Sequence, residues 1–527
     1  MSNQPQLSVK NRMLVSALSV IACFVPVHGY RFFHLLASGD SLLQLYQDDA
    51  AWEIALGRFL QPFVVMFRGG YTTPFLINLL MIAWLVLAVF FATWYLDLQT
   101  NLSVALVAAF FVINRTLVML NASYLPWADS YMFSLLAAVF GVWLASEKKT
   151  WRVLLGALSF TVSLSLYQAY ICVALGLAAI RLFVELAKRK DVKEIVRCVT
   201  GEACAFALSA VLYIAGWKGL QGALHIWSAD GYNGMSDIGG TLAGAAGGSL
   251  LSTVYGNVWR YFFDPARIQV MTFRGLDLGD IWVWLFRLAN LSVTVLIIVA
   301  AIRINRARKT ELWRRVLQVL LFALLPLCVN LVCLLSGGVQ HVLMMYAFNL
   351  HYVTAVVMRE AGAKVPDAKE KDDPRTAVQR PGPLTVLLFV LAFFILWPQV
   401  IYANQIYLKK SIQEEAAQSL MMRVLEEVES AEGYVPGETP VCFAGSLERN
   451  PYIEAKDVMT DEMPWGEMTT AFTYGGMERK WLSFFEHMAV RTEAELPQGE
   501  AVEAMPCFPV EGSVGYVDGV LVVKLSE

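Results

Sequence analysis

The densest group of chemically useful side chains lies near the N-terminus, in Gln47-Asp48-Asp49-Ala50-Ala51-Trp52-Glu53-Ile54-Ala55-Leu56-Gly57-Arg58-Phe59. Three carboxylates and an arginine fall within eleven residues, between apolar neighbours. A positioned carboxylate can take the proton from a hydroxyl, and a nearby guanidinium can neutralise a phosphate. A helix over 49–60 would place Trp52, Leu56 and Phe59 on one face, fit to lie on a membrane surface. Adjacent Asp48 and Asp49 equally suit a helix start, where carboxylates cap free amide groups. Both uses stay open for the pair.

Other candidates are scattered along the chain. Asp129 stands at the start of an apolar run, either as a helix cap or as a second acid near the first. Arg115, preceded by Asn114, lies near the end of another run. A charge there faces a cavity or ligand, or snorkels to the headgroups. Tyr167 and Gln168 form a turn between two apolar segments. His341, Tyr346, Asn349 and His351 make a polar stripe that either holds helices together or touches substrate. Arg260, Asp264, Arg267 and Arg274, among aromatic residues, form either an anion site or a solvated rim.

The elements that must position these groups are membrane helices. Of 527 residues, 57% are hydrophobic and 16% charged, against about 25% charged in soluble proteins. Mean hydropathy is +0.52. The net charge of −3 comes with no basic stretch away from membrane flanks, which argues against nucleic acid. Apolar runs predict eleven spans, near 13–29, 75–96, 102–120, 131–146, 153–168, 170–187, 198–216, 283–302, 317–335, 340–358 and 383–402. The first has no small-residue cleavage site after it and reads as an uncleaved helix. The tenth is the weakest, because His341, Asn349 and His351 interrupt it.

Lysine and arginine crowd into alternate loops, around 148–152, 188–197, 303–315 and 359–380, which predicts that these are cytoplasmic together with the N-terminus. The segment 360–382 reads as a solvated linker. Two long loops, 30–74 and 217–282, then lie outside, the latter with a Gly/Ala stretch over 239–248. Eleven crossings also place the C-terminus outside. After residue 402 the character changes: a helical pattern over 404–432, strand-like pieces at 440–444 and 514–517, a helical segment over 481–490 and a last strand at 521–525. This predicts a membrane domain over 1–402 and a small extracytoplasmic α/β domain over 403–527. Outside the cell, Cys442 and Cys507 could pair. We find no Rossmann fingerprint, Walker A motif, nucleophile elbow or zinc spacing.

Asp48-Asp49 ahead of Ala55-Leu56-Gly57-Arg58-Phe59, followed by Arg68-Gly69-Gly70 and Pro74, resembles the start of the bacterial GtrII-type glucosyltransferase family. Ser165-Leu166-Tyr167-Gln168-Ala169-Tyr170 is similar to that family too, as is the ending, Gly512-Ser513-Val514 and Asp518-Gly519-Val520-Leu521-Val522-Val523-Lys524. The resemblance implies a mainly α, glycosyltransferase C-like fold in the cytoplasmic membrane. It further implies transfer of a glucosyl or other hexosyl unit from a polyprenyl-phosphate-linked donor to a cell-envelope glycan on the outer side. Asp48 or Asp49 would be the base, Asp129 would assist, and Arg58 or Arg115 would meet the donor phosphate. Tyr167, Gln168 and His341 complete the expected substrate contacts. No metal ligand is assigned, and a divalent cation stays an open requirement. A polysaccharide polymerase or ligase, or a flippase or transporter, would share the membrane location. The acids lie in a loop rather than mid-span, and no internal repeat of the transporter kind is found.

Overall fold

The structure, a computed structural model, describes residues 7–36, 50–147, 149–227, 229, 249–265, 272–273, 276–363, 383–445, 450, 495–497 and 499–527. The Gly/Ala stretch 239–248, the stretch 364–382 and the expected helix over 481–490 lie outside these residues, as do Asp48, Asp49, Arg267 and Arg274.

The chain is mainly helical. In order come α1 (Val9–His28), α2 (Ala51–Ala55), α3 (Gln61–Phe67), α4 (Pro74–Tyr95), α5 (Asn101–Val112), α6 (Arg115–Ser123), α7 (Ala128–Ala145), α8 (Thr150–Leu166) and α9 (Ile171–Ala187). They are followed by α10 (Val192–Leu224), α11 (Ser249–Phe263), α12 (Leu278–Ala307), α13 (Leu312–Val329), α14 (Leu331–Leu335), α15 (Leu350–Ala363), α16 (Pro383–Ser430) and α17 (Glu500–Ala504). Among the described residues, eight helices are long and apolar enough to cross a membrane. They become nine if α5 and α6, bent by 45°, count as one. Apolar side chains such as Leu14, Leu18 and Val25 on α1, and Leu387, Val390 and Phe393 on α16, stay exposed on the outer faces. Such faces suit lipid. By contrast α7 is almost wholly buried and forms the centre of the bundle.

The structure departs from the expected spans in three places. The run over 102–120 breaks at Asn114, whose carboxamide accepts from Leu117 N and donates to the Phe111 carbonyl, each at 2.9 Å. α8 has 17 residues and falls short of a full span by length. The tenth expected span is not one helix. Two 3-10 turns, Val342–Met344 and Tyr346–Asn349, precede the 14 residues of α15. Gly337 and Gly338 adopt left-handed backbone just ahead, and His341 caps the first turn through Leu343 N. The polar residues that interrupt the apolar run thus serve its turns.

The connections gather at two ends. At one, the turns after α4, α9 and α12 meet the start of the chain: Leu7 N donates to Gln99 at 3.0 Å, and Gln99 N to Glu360 at 2.6 Å. Arg308 and Arg314 donate to the carbonyls of Lys188 and Lys190, and Arg189 pairs with Glu311. We call this the basic end. At the opposite end, His28 meets the Tyr407 hydroxyl at 2.7 Å, Tyr30 donates to Ser411 at 2.8 Å, and Asn404 donates to the Pro26 carbonyl at 3.0 Å. The chain after α1 and the C-terminal part of α16 therefore share one end.

There, Met421, Val424, Leu425 and Val428 of α16 pack on a small sheet of β3 (Val441–Ala444), β4 (Val514–Val517) and β5 (Val520–Lys524). The order is β3-β5-β4, with β3 parallel and β4 antiparallel to β5. Asp518 and Gly519 both take positive φ in the tight β4–β5 turn, as a two-residue hairpin demands. Cys442 and Cys507, both buried, are not bridged to one another, so the pairing considered from sequence is not made.

α7 and α8 approach closely through glycine. A Cβ on Gly156 would lie 3.0 Å from the Gly141 carbonyl and 3.1 Å from Ala145 Cβ. Gly156→Leu should therefore lower unfolding stability by about 1–3 kcal/mol or more, read by thermal unfolding in detergent. An unchanged midpoint would mean that this contact does not hold the two helices.

Candidate functional site

The four segments singled out by sequence converge at the end opposite the basic turns. The first is the described part of the 30–74 loop. Instead of one surface helix over 49–60, it forms α2 and α3, broken at Gly57, whose φ is +79°. A Cβ there would lie 2.2 Å from the Tyr213 hydroxyl, so glycine is required both by conformation and by space. The break turns Phe59 inward onto Tyr213, ring centroids 6.0 Å apart. Trp52 stays exposed, and Phe63, Met66 and Phe67 of α3 add further exposed apolar surface. Glu53, the third acid of the loop, is buried.

The turn at Tyr167-Gln168 clamps this loop. Gln168 Nε2 donates to the Leu56 carbonyl at 3.0 Å and to the Tyr213 hydroxyl at 2.9 Å. Trp217 Nε1 donates to the Ile54 carbonyl at 2.7 Å. The Arg58 guanidinium lies 5.1 Å over the Tyr167 ring, a cation–π geometry. Arg58, Tyr167 and Gln168, chosen separately from sequence, thus form one unit.

Asp129 lies one layer deeper. Tyr131, two residues on, stacks on Tyr167 at 4.0 Å. Asp129 is completely buried in the first turn of α7 and forms an ion pair with Arg68 Nε at 3.1 Å. The attraction is chiefly Coulombic, with a smaller hydrogen-bonding part. The other carboxylate oxygen accepts from Ser130 N at 2.9 Å. Arg68 also donates to the carbonyls of Tyr71 and Pro126. Burial pulls the Arg68 guanidinium below its ordinary pKa, and the neighbouring Asp129 carboxylate opposes that pull. Gln61 Nε2, fully buried, meets Ser130 Oγ at 3.3 Å. The Asp129 carboxylate is thereby engaged in joining α3 to the turn before α7.

His341 reaches the same region through Tyr124, whose hydroxyl lies 3.3 Å from His341 Nε2. Tyr346 closes the cluster against Tyr170, centroids 5.4 Å apart. Arg115 sits apart. Its guanidinium donates to the carbonyls of Tyr261 at 2.6 Å and Asp264 at 3.1 Å, at the C-terminal end of α11. Arg287 and Asn290 bind the neighbouring carbonyls of Phe263 and Phe262. These donors satisfy carbonyls that a helix end leaves open. Of the mixed cluster, Asp264 therefore belongs to a helix cap.

Sequence reasoning missed several residues that build this site. Arg68 was noted only as part of a motif, and its partner lies 61 positions away. Arg31 donates to the carbonyls of Asn121 at 2.8 Å, Leu36 at 3.2 Å and His34, and so anchors the entry to the first loop. An arginine just past an apolar run was the available signal for it. Among the described residues, no three His, Cys, Asp or Glu side chains gather into a metal site.

A bundle of membrane helices whose breaks gather acids, two arginines and aromatic rings at one end is an architecture for handling a substrate at a membrane face. The family model described as glucosyl transferase GtrII matches residues 29–357, and the chain belongs to that family. It is accordingly a glycosyltransferase, and its long apolar helices make it a membrane protein. The match takes in all four converging segments. No curated protein and no solved structure matches the chain.

Two outcomes test the geometry. Arg68→Ala leaves a buried, uncompensated carboxylate and should cost about 3–5 kcal/mol. Arg68→Ala/Asp129→Ala together should cost less than the sum of the single changes, as chemical unfolding in detergent would read; strict additivity would deny the coupling. Gly57→Ala should displace Tyr213 and Gln168 and cost about 1–3 kcal/mol from backbone strain alone, measured the same way.

Proposed function

We propose that this protein transfers a glucosyl unit from a polyprenyl-phosphate-linked donor to a cell-envelope glycan on the outer side of the cytoplasmic membrane. The observation that carries the reading is the convergence of the loop 50–73, the 124–131 turn, the 167–170 turn and the 341–349 segment at one end of the bundle. The turns rich in lysine and arginine collect at the other end, which in this reading is cytoplasmic. A donor with a hydrophobic tail explains a site at the membrane face without a nucleotide-binding unit.

In this reading residues 1–402 form the transferase body and 403–527 an outer domain that contacts the acceptor. The body follows the glycosyltransferase C plan. Asp48 or Asp49 takes the proton from the acceptor hydroxyl. The hydroxyl oxygen attacks the anomeric carbon, the carbon–oxygen bond to the lipid phosphate breaks, and the phosphate leaves with the electron pair. Arg58 meets that growing charge, held in place by the Tyr167 ring and the Gln168 clamp. Arg58 is favoured for the phosphate because it stands over Tyr167 beside the first loop, whereas Arg115 lies apart at the end of α11. Asp129 assists by fixing the loop through Arg68 rather than by moving a proton. His341 lines the far edge of the same substrate space.

The decisive experiment uses the full chain reconstituted in vesicles with a glucosyl phosphoryl polyprenol donor. Asp48→Asn and Asp49→Asn are compared with wild type by counting sugar transferred to acceptor glycan. One of the two should lose about 100- to 10,000-fold in rate with its unfolding midpoint unchanged. Full activity in both would refute the assignment of the base, and no transfer by wild type from such a donor would refute the donor class.

A further inference from the structure

At the basic end, the C-termini of α4, α7 and α9 and the start of α10 surround a cavity of about 440 Å³. That lies within the roughly 300–1,000 Å³ typical of small-molecule pockets. Trp94 and Trp143 line it, ring centroids 5.4 Å apart, and Arg152 lies 4.8 Å over the Trp143 ring. Tryptophan and arginine at helix ends mark the headgroup level of a bilayer. The cavity therefore opens where lipid phosphates and amines sit.

Its floor is a closed network. Glu185 accepts from Arg181 Nε and Lys190 Nζ, each at 3.0 Å. Arg181 lies 4.6 Å over the Tyr95 ring, and the Tyr95 hydroxyl donates to Glu202 at 2.7 Å. The rim is looser. Lys188 stands 3.9 Å from Asp97, and Glu194 and Arg197 project from the first turns of α10. Counting floor and rim, the lining holds four cations, Arg181, Lys188, Lys190 and Arg197. It also holds four carboxylates, those of Asp97, Glu147, Glu185 and Glu194. An anion alone gains nothing from so balanced a wall. Three helix C-termini add partial negative charge and the N-terminus of α10 adds partial positive charge, so the site suits a ligand that carries both signs.

We propose that this cavity binds the headgroup of a zwitterionic phospholipid with a primary ammonium. The phosphodiester lies against Lys188 and Arg197, and the ammonium against Glu194. The acyl chains follow the exposed valines of α10, Val196 and Val199, which flank Arg197. Because the cavity lies at the end opposite the transfer site, this inference stands apart from the proposed reaction.

The test takes the delipidated full chain in detergent and measures retained lipid by native mass spectrometry and unfolding temperature by calorimetry. The probes are phosphatidylethanolamine, phosphatidylcholine, phosphatidylglycerol, free phosphoethanolamine and inorganic phosphate. Phosphatidylethanolamine should be retained best and raise the midpoint most. Glu194→Ala/Arg197→Ala should cut its retention by about tenfold while leaving the lipid-free midpoint in place. Should that variant not fold, Arg197→Gln alone decides by the same loss. Equal retention of phosphatidylglycerol, undiminished binding in the variant, or a full shift from inorganic phosphate or phosphoethanolamine alone would each overturn the proposal.

Discussion

Hydrocarbon offers no water to a broken backbone hydrogen bond, so every interruption of a membrane helix must be repaired by the protein itself. The breaks in this chain are repaired by side chains from other segments. Ser134 of α7 donates to the Ser163 carbonyl at the end of α8. Tyr346 donates to the Phe111 carbonyl ahead of the α5–α6 bend, and Thr116 just past the bend donates to the Val342 carbonyl. Each repair ties one break to a distant segment. The need to satisfy backbone groups thereby draws the polar segments together at the end where sugar chemistry is proposed.

Charge burial follows the same logic at higher cost. An arginine and a carboxylate removed from water must be paired, and their main gain is geometric specificity rather than net stability. Arg68 spans the end of α3, the Pro126 turn and Asp129, so the loop that follows α1 can dock on the bundle in one register. Arg31 does the same for the entry to that loop, and Arg115 for the end of α11. Three buried guanidinium groups, each bound to main-chain carbonyls, act as the fixed points of the face.

Much of this was legible in the sequence, and the illegible part has a common cause. Apolar runs located the long helices, because hydropathy over some twenty positions is a strong signal, although the ends of α10, α12, α13 and α16 lie five or more residues from the expected bounds. The alternation of lysine and arginine between loops foretold which turns collect at one end. A sliding average cannot see the bend at Asn114 or the turns over 342–349, since one or two polar residues barely lower it. The helix expected over 49–60 failed for a similar reason: its apolar period was sound, but Gly57 takes a backbone conformation no helix allows. Arg58, Tyr167 and Gln168 were each noticed for their chemistry, yet their contact was invisible, because it depends on how α2 meets the α8–α9 turn. The Arg68–Asp129 pair was hidden likewise, as one chain does not announce which charges meet in space.

The last long helix gives the molecule a property that no single loop has. α16 runs unbroken from Pro383 to Ser430, through a stretch apolar enough to span and out past it. Between Ile412 and Ser430 it extends roughly 27 Å at 1.5 Å per residue. The small sheet is fastened along the side of this rod rather than hung from a flexible tether. Its place beside the segment after α1, where Leu35 packs on the same cluster, is thus set by a rigid helix.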